Sequence, residues 1–192
     1  MRQLNYYVAC SVDGFIAHKD GSFAGFLPEG EHITDLAASF PETIPVHWRD
    51  ALGVHAENKW FDIVFMGRRT YEVGLTVGVT NPYPHMKQYL FSRTMKESPD
   101  ENVELVSKDA VALVKSLKNE TGKDIWLCGG ADLATTLFAE HLIDKLILKV
   151  NPFLMGSGIP LFSGVIQQTN LELTDSKIYQ NGVLILHYRV RI

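Results

Sequence analysis

The sequence predicts an α/β fold: a mostly parallel central sheet with helices on both faces and an antiparallel C-terminal hairpin. Three observations carry this. Short apolar runs alternate with helix-length segments through the middle of the chain. Two of these runs, Ile63-Val64-Phe65-Met66 and Ile125-Trp126-Leu127-Cys128, are apolar at every position, as suits strands buried on both faces. Near the C-terminus, two strand-like runs flank Gln180-Asn181-Gly182, and Asn-Gly between such runs signals a hairpin.

The elements follow in order. Leu4 to Ser11 is aromatic and apolar and reads as a buried strand; Asp13-Gly14 turns the chain into Phe15-Ile16-Ala17. Asp20 to Gly30 is a glycine-rich loop. Glu31 to Phe40 is a short helix with Leu36 and Phe40 on one face, broken by Pro41 and Pro45, and a second helix is expected over His47 to Ala56. Strand and helix then alternate. A strand ends at Met66, a helix covers Arg69 to Gly74, and strands cover Gln88 to Ser92 and Val103 to Val106. A helix follows from Asp109, its expected N-cap, to Asn119. After the strand ending at Cys128 come a helix, Ala131 to Glu140, and a strand, Lys145 to Val150. Leu171 to Tyr179 and Val183 to Val190 form the hairpin.

The 192 residues suit one domain spanning 1–192. A net charge of −4 gives no argument for nucleic acid or an anionic membrane as partner. Cys10 and Cys128 each end an apolar run and read as buried thiols, and the seven histidines have no metal-ligand spacing, so no metal is expected. The N-terminal residues lack a signal-peptide pattern, which makes the cytoplasm the expected compartment.

Two strand–glycine–helix junctions carry the chemistry: Met66-Gly67-Arg68-Arg69-Thr70 and Cys128-Gly129-Gly130-Ala131. Ligands of open α/β sheets bind at the carboxyl ends of strands, and a helix start offers free N–H groups to an anion. A lone glycine between strand and helix is more often a simple turn, and the GxGxxG fingerprint is absent. Together, with Arg68, Arg69 and Arg93 beside strand ends, they point to a large anionic ligand, NADPH rather than NADH.

At this point the residues match a family. Ser11-Val12-Asp13-Gly14-Phe15-Ile16-Ala17, Met66 to Glu72, Phe91-Ser92-Arg93-Thr94, Ile125 to Ala131 and Asp144 to Phe162 occur in one order across almost the whole chain. In them the chain resembles the dihydrofolate reductase superfamily, most of all the C-terminal reductase domain of the riboflavin-biosynthesis deaminase-reductase. The resemblance implies a three-layer dihydrofolate reductase-like fold and hydride transfer from NADPH. It implies that the backbone of Ala9 and Ile16 holds the nicotinamide amide. Gly67, Arg68, Arg69 and Thr70 would bind the pyrophosphate and adenosine phosphate, and Ser92 and Arg93 would flank the 2′-phosphate. Gly129, Gly130, Ala131, Asp132 and Leu133 would carry the pyrophosphate. It also implies a homodimer. The zinc signature of a deaminase is absent, so a riboflavin role would be reduction alone.

For the substrate, Asp35 is the candidate proton donor, because a carboxyl raised by burial can act as an acid; the alternative is a solvated helix residue. Lys149 falls where the substrate pocket should open and suits a ribose phosphate or an acidic group; the alternative is a solvated strand end. Met86 stands where folate enzymes carry an arginine, which favours a ribosylaminopyrimidine-type substrate over dihydrofolate, a pterin or another small heterocycle. A non-catalytic NADPH-binding protein is the reading of a different class.

Overall fold

The two fully apolar runs become neighbouring strands at the centre of one eight-stranded sheet. The computed structural model describes residues 1–164 and 166–191. In chain order its strands are β1 (Leu4–Ser11), β2 (Phe15–Ala17), β3 (Phe61–Gly67), β4 (Lys87–Phe91), β5 (Val103–Val106), β6 (Asp124–Gly129), β7 (Lys145–Asn151), β8 (Ile159–Pro160), β9 (Asn170–Ile178) and β10 (Leu184–Arg191). The α-helices are α1 (Glu31–Ser39), α2 (Val46–Arg49), α3 (Arg68–Leu75), α4 (Ala110–Asn119) and α5 (Ala131–Ala139). The sheet order is β5-β4-β3-β6-β1-β7-β10-β9. The pairings from β5 to β7 are parallel, and β10 and β9 add antiparallel at one edge.

Strand alternation divides the side chains between two cores. Leu4, Tyr6, Phe65, Ile125 and Leu127 pack against Val114 and Leu117 of α4 and Leu137 of α5. Val64, Met66, Trp126, Ile147 and Ile185 face the other way, toward Leu36 of α1 and Tyr71 of α3. Helices therefore cover both faces, as expected from the sequence.

Local chemistry redraws three elements. The helix expected over His47 to Ala56 is a single turn, α2, and the chain turns at Gly53, whose φ of +62° suits glycine. Asp109 occupies the N-cap position of α4 but with a left-handed φ of 54° and no capping hydrogen bond from its side chain. β8 was not foreseen: Ile159-Pro160 is only a bridge-length strand pairing β2.

The entry to β3 rests on a residue with no sequence signal. Glu42 is fully buried, and its carboxylate accepts from the backbone N–H groups of Lys59, Trp60 and Phe61. Its backbone carbonyl accepts from His85 Nε2 at 2.7 Å. Replacing Glu42 with Ala leaves these donors without a partner, and at about 1–3 kcal/mol per buried orphan the expected cost is about 2–4 kcal/mol. Urea denaturation of the variant measures it; an unchanged midpoint would refute the role.

Candidate functional site

Register brings the two junctions together. β3 and β6 pair in parallel with Met66 opposite Gly129, so both strands end at one level. A β-carbon on Gly67 would stand 3.2 Å from the Gly130 backbone nitrogen, and one on Gly129 would stand 3.0 Å from Thr70 Oγ1. Any larger residue at either position would have to press the facing junction outward by a few tenths of an ångström. Gly129 also has a φ of +150°, which L side chains rarely adopt. The Gly129–Gly130 peptide is cis.

Each junction opens a helix, and neither helix has a side-chain cap at its N-cap glycine. The first N–H groups of α3, at Arg68, Arg69 and Thr70, and of α5, at Ala131, Asp132 and Leu133, therefore lack the usual side-chain acceptor. Both helix dipoles add positive potential there. Of these side chains, Leu133 packs into the core, so only its backbone is available. The Asp132 carboxylate accepts a hydrogen bond from Ser163 Oγ and sits in the first turn of α5.

The arginines divide by partner. Arg68 is tied to Glu72 at 3.5 Å and to Thr94 Oγ1 at 3.2 Å. Arg69 and Arg93 are exposed and make no ion pair among the described residues. Ser92, just past β4, accepts from the N–H groups of Thr94 at 3.3 Å and Met95 at 3.1 Å, which fixes the turn that presents Arg93.

Beside the junctions the sheet splits. β1 pairs with β6 only from Leu4 to Tyr6, and beyond that point it follows β7 alone, through Ala9 opposite Lys149 to Ser11 opposite Asn151. Trp126 Nε1 donates to the Tyr7 carbonyl at 2.9 Å where the strands part. The two tyrosines of β1 take opposite faces. The Tyr6 hydroxyl donates to the Leu161 carbonyl, whereas Tyr7 packs on Phe40 and Trp126. Cys128 lies on the Tyr7 side, and burial pushes its thiol up to about 12, so it is an inert wall.

Ile16 lies in β2, whose approach is fixed by Asp13. Its carboxylate accepts from the N–H groups of Met155 at 3.0 Å and Gly156 at 2.7 Å and from Ser11 Oγ at 2.6 Å. These bonds hold it at about 2. The sequence shows Asp13 only as a turn residue; its reach to Met155 spans 142 positions and has no local signature.

Lys149 and Asp35 are not brought into direct contact. The Lys149 ammonium is half-buried, makes no ion pair among the described residues, and reaches only the Leu27 carbonyl at 3.4 Å. Burial lowers its pKa. Asp35 instead pairs with Lys177 of β9 and accepts from the Tyr179 hydroxyl at 3.1 Å. The Lys177 bond holds its carboxyl below the usual range; desolvation opposes it, and the Tyr179 bond and the Lys177 charge add smaller effects in the same downward direction. A proton donor needs the opposite shift, so in this geometry Asp35 is an ionised acceptor. Met86 is buried in the core, Lys87 faces Glu104 at 3.6 Å, and His85 is held by Glu42. No cation replaces the folate arginine at this position.

A parallel sheet of this order, closed by an antiparallel hairpin and with paired glycine junctions at its centre, has the architecture of dihydrofolate reductase-type enzymes. The chain belongs to the RibD C-terminal domain family, which it matches over residues 2–185. That is a family of reductases, so the chain falls among the oxidoreductases. It is 35% identical to the uncharacterized protein YwjB of Bacillus subtilis over 188 residues, 97% of each chain. Its fold is similar to a candidate riboflavin biosynthesis protein of Shewanella sp. PV-4, with a TM-score of 0.70, 24% identity and all of both chains covered. It is also similar to RibD of Acinetobacter baumannii, with a TM-score of 0.65 and 18% identity over all of this chain and 58% of that one. Among the described residues, no helix is long and apolar enough to cross a membrane.

Proposed function

We propose that the chain is an NADPH-dependent reductase of a small nitrogen heterocycle, of the ribosylaminopyrimidine type. One observation supports the cofactor reading: two uncapped helix starts meet at Gly67 and Gly130, so closely that a β-carbon on Gly67 would stand 3.2 Å from the Gly130 nitrogen. That is the chemistry of a pyrophosphate site. Gly67 to Thr70 and Gly129 to Leu133 would hold it through backbone N–H groups and the Thr70 hydroxyl. Arg69 and Arg93, free of ion pairs among the described residues, with Arg68 and Ser92 beside them, suit a further phosphate on the adenosine. NADPH, when bound, supplies a hydride.

The remaining residues orient the reactants. Backbone groups of Ala9, past the point where β1 leaves β6, and of Ile16 in β2 would hold the flat nicotinamide carboxamide through donors and acceptors. Tyr7 and Cys128 wall the cleft against water. Lys149 offers a half-desolvated cation to a phosphate or acidic group of the substrate. Asp35 would serve as an ionised anchor for the Tyr179 hydroxyl, with water supplying the proton. The buried Met86 argues against folate. A second copy of the chain would cover the exposed edge strand β9, where Leu171, Leu173 and Ile178 are exposed beside an apolar concavity lined by Phe138, Leu146 and Phe162. The cytoplasm is the compartment we assign to this chemistry.

Titration is expected to show tighter binding of NADPH than of NADH. Arg69→Ala and Arg93→Ala should each weaken NADPH about tenfold or more, from a lost charge-assisted contact of about 1.5–3 kcal/mol, while leaving NADH unaffected. Equal affinity for the two cofactors would remove the reading. In NADPH oxidation assays, Lys149→Met should raise KM for an aminopyrimidine riboside about tenfold, on the same energetic scale, with NADPH affinity unchanged. Turnover of dihydrofolate alone would defeat the substrate assignment, and binding without turnover of any heterocycle would favour the non-catalytic class. Asp35→Asn should leave the pH dependence of kcat unaltered; a lost alkaline limb would instead make Asp35 the donor. Sedimentation should give a dimer that Leu173→Glu dissociates, and a wild-type monomer would exclude the β9 interface.

A further inference from the structure

One residue of the 18–30 loop, Leu27, gathers three polar contacts to the elements around it. The Leu27 N–H donates to Asn151 Oδ1 at 3.1 Å. Asn151 is fully buried at the end of β7, and its amide nitrogen lies 3.2 Å from the Lys149 carbonyl. The Leu27 carbonyl meets both Lys149 Nζ, at 3.4 Å, and His32 Nε2, at 3.2 Å. His32 is fully buried in the first turn of α1, edge-on to the Tyr179 ring. Its other nitrogen, Nδ1, lies 3.0 Å from Asn181 Nδ2 in the turn of the hairpin. Gly30 admits this contact: a β-carbon there would stand 3.0 Å from Asn181 Nδ2 and 3.2 Å from His32 Nδ1.

These partners fix the protonation state. A carbonyl only accepts, so Nε2 carries the hydrogen. Asn181 Oδ1 accepts from the Val183 N–H at 3.2 Å, so its NH2 group faces the ring and Nδ1 must be the acceptor. Adding a proton at Nδ1 sets donor against donor and breaks the link to the hairpin. Turning the Asn181 amide over would break its bond to Val183 instead.

We propose that His32 is a positioning residue: through the Leu27 carbonyl it sets where the Lys149 ammonium stands, and its protonation frees the 18–30 loop from the hairpin. The proposal rests on Lys149 meeting the substrate. Of the ionisable groups around His32, Lys149 on β7 shares the Leu27 carbonyl with it and Tyr179, just past β9, packs its ring against it; Asp35 on α1 and Lys177 on β9 both meet Tyr179, and Glu31 precedes His32 on α1. Burial first, and the Lys149 charge in addition, lower the pKa of His32 below 6.5, while its bond to Leu27 opposes them. The link is therefore intact at neutral pH and is lost as pH falls through a value below 6.5. Asp35 shifts downward from 3.8, Tyr179 upward from 10.0, and Lys149 downward from 10.5 by burial of its ammonium.

The test compares wild type with His32→Gln, which keeps an N–H donor without titrating, and with Asn181→Asp on the exposed turn. Between pH 7.5 and 5, wild-type KM for the heterocycle should rise about 3- to 10-fold, the scale of one lost hydrogen bond, with kcat and NADPH affinity nearly constant. His32→Gln should abolish this limb. Asn181→Asp should invert it, because a carboxylate accepts from the protonated ring and repels the lone pair of the neutral one. Amide hydrogen exchange over residues 18–30, read without cofactor or substrate, should follow the same three patterns. That readout holds even if no heterocycle is reduced, so failure of the reductase reading is seen separately. Identical pH profiles for the three proteins in exchange would overturn the proposal.

Discussion

Everything at the centre of this molecule depends on two parallel strands stopping at the same level. Because Met66 stands opposite Gly129, the helices that follow β3 and β6 begin side by side, and their unsatisfied N–H groups point into one space. The helices then part, α3 to the Tyr71 face and α5 to the Leu137 face, so a shift of one residue would stagger their starts and separate the two sets of donors. The glycines are what this register demands. At Gly67 and Gly129 a side chain would crowd the neighbouring junction, and Gly129 adds a backbone angle that other residues rarely adopt. Positive potential at the centre of the sheet thus comes from backbone geometry first. The arginines of a −4 chain add to it only locally.

Acidic groups respect that field. Asp132 sits in the first turn of α5 and is tied to Ser163, where a carboxylate complements the dipole. Asp13 is drawn to the other rim, against the backbone of Met155 and Gly156. Asp35 is occupied by Lys177. The cations left without carboxylate partners among the described residues include Arg69, Arg93 and Lys149, and all three lie at or beside the carboxyl ends of the parallel strands.

The strands and helices were legible because their signals are local. Continuous apolar runs mark β3 and β6, and Asn181-Gly182 marks the hairpin. The junction residues were legible too, since glycine after a buried strand has few uses. What escaped was long-range polar pairing. Glu42 looks like any helix-flanking acid until three N–H groups from residues 59 to 61 close on it. His32 reads as a helix residue, and only the folded chain brings Asn181 to its ring. Asp35 shows the same limit from the other side. Its position in a helix suggested an acid, but the sign of its shift is set by Lys177, 142 positions away. Likewise β8 depends on its partner β2 rather than on its own two residues.

The fixing of Leu27 at both its N–H and its carbonyl has a consequence for how this scaffold changes over time. It divides the glycine-rich loop into a tip, residues 18 to 26, and a foot bound to β7. The tip keeps one hold of its own, Phe26 edge-on to Phe153 just past β7. Phe23 and Lys19 in the tip are exposed and make none of the bonds that hold Leu27 to β7. Substitutions at such exposed positions change the outer surface of the loop and leave the polar foot at Leu27 as it stands.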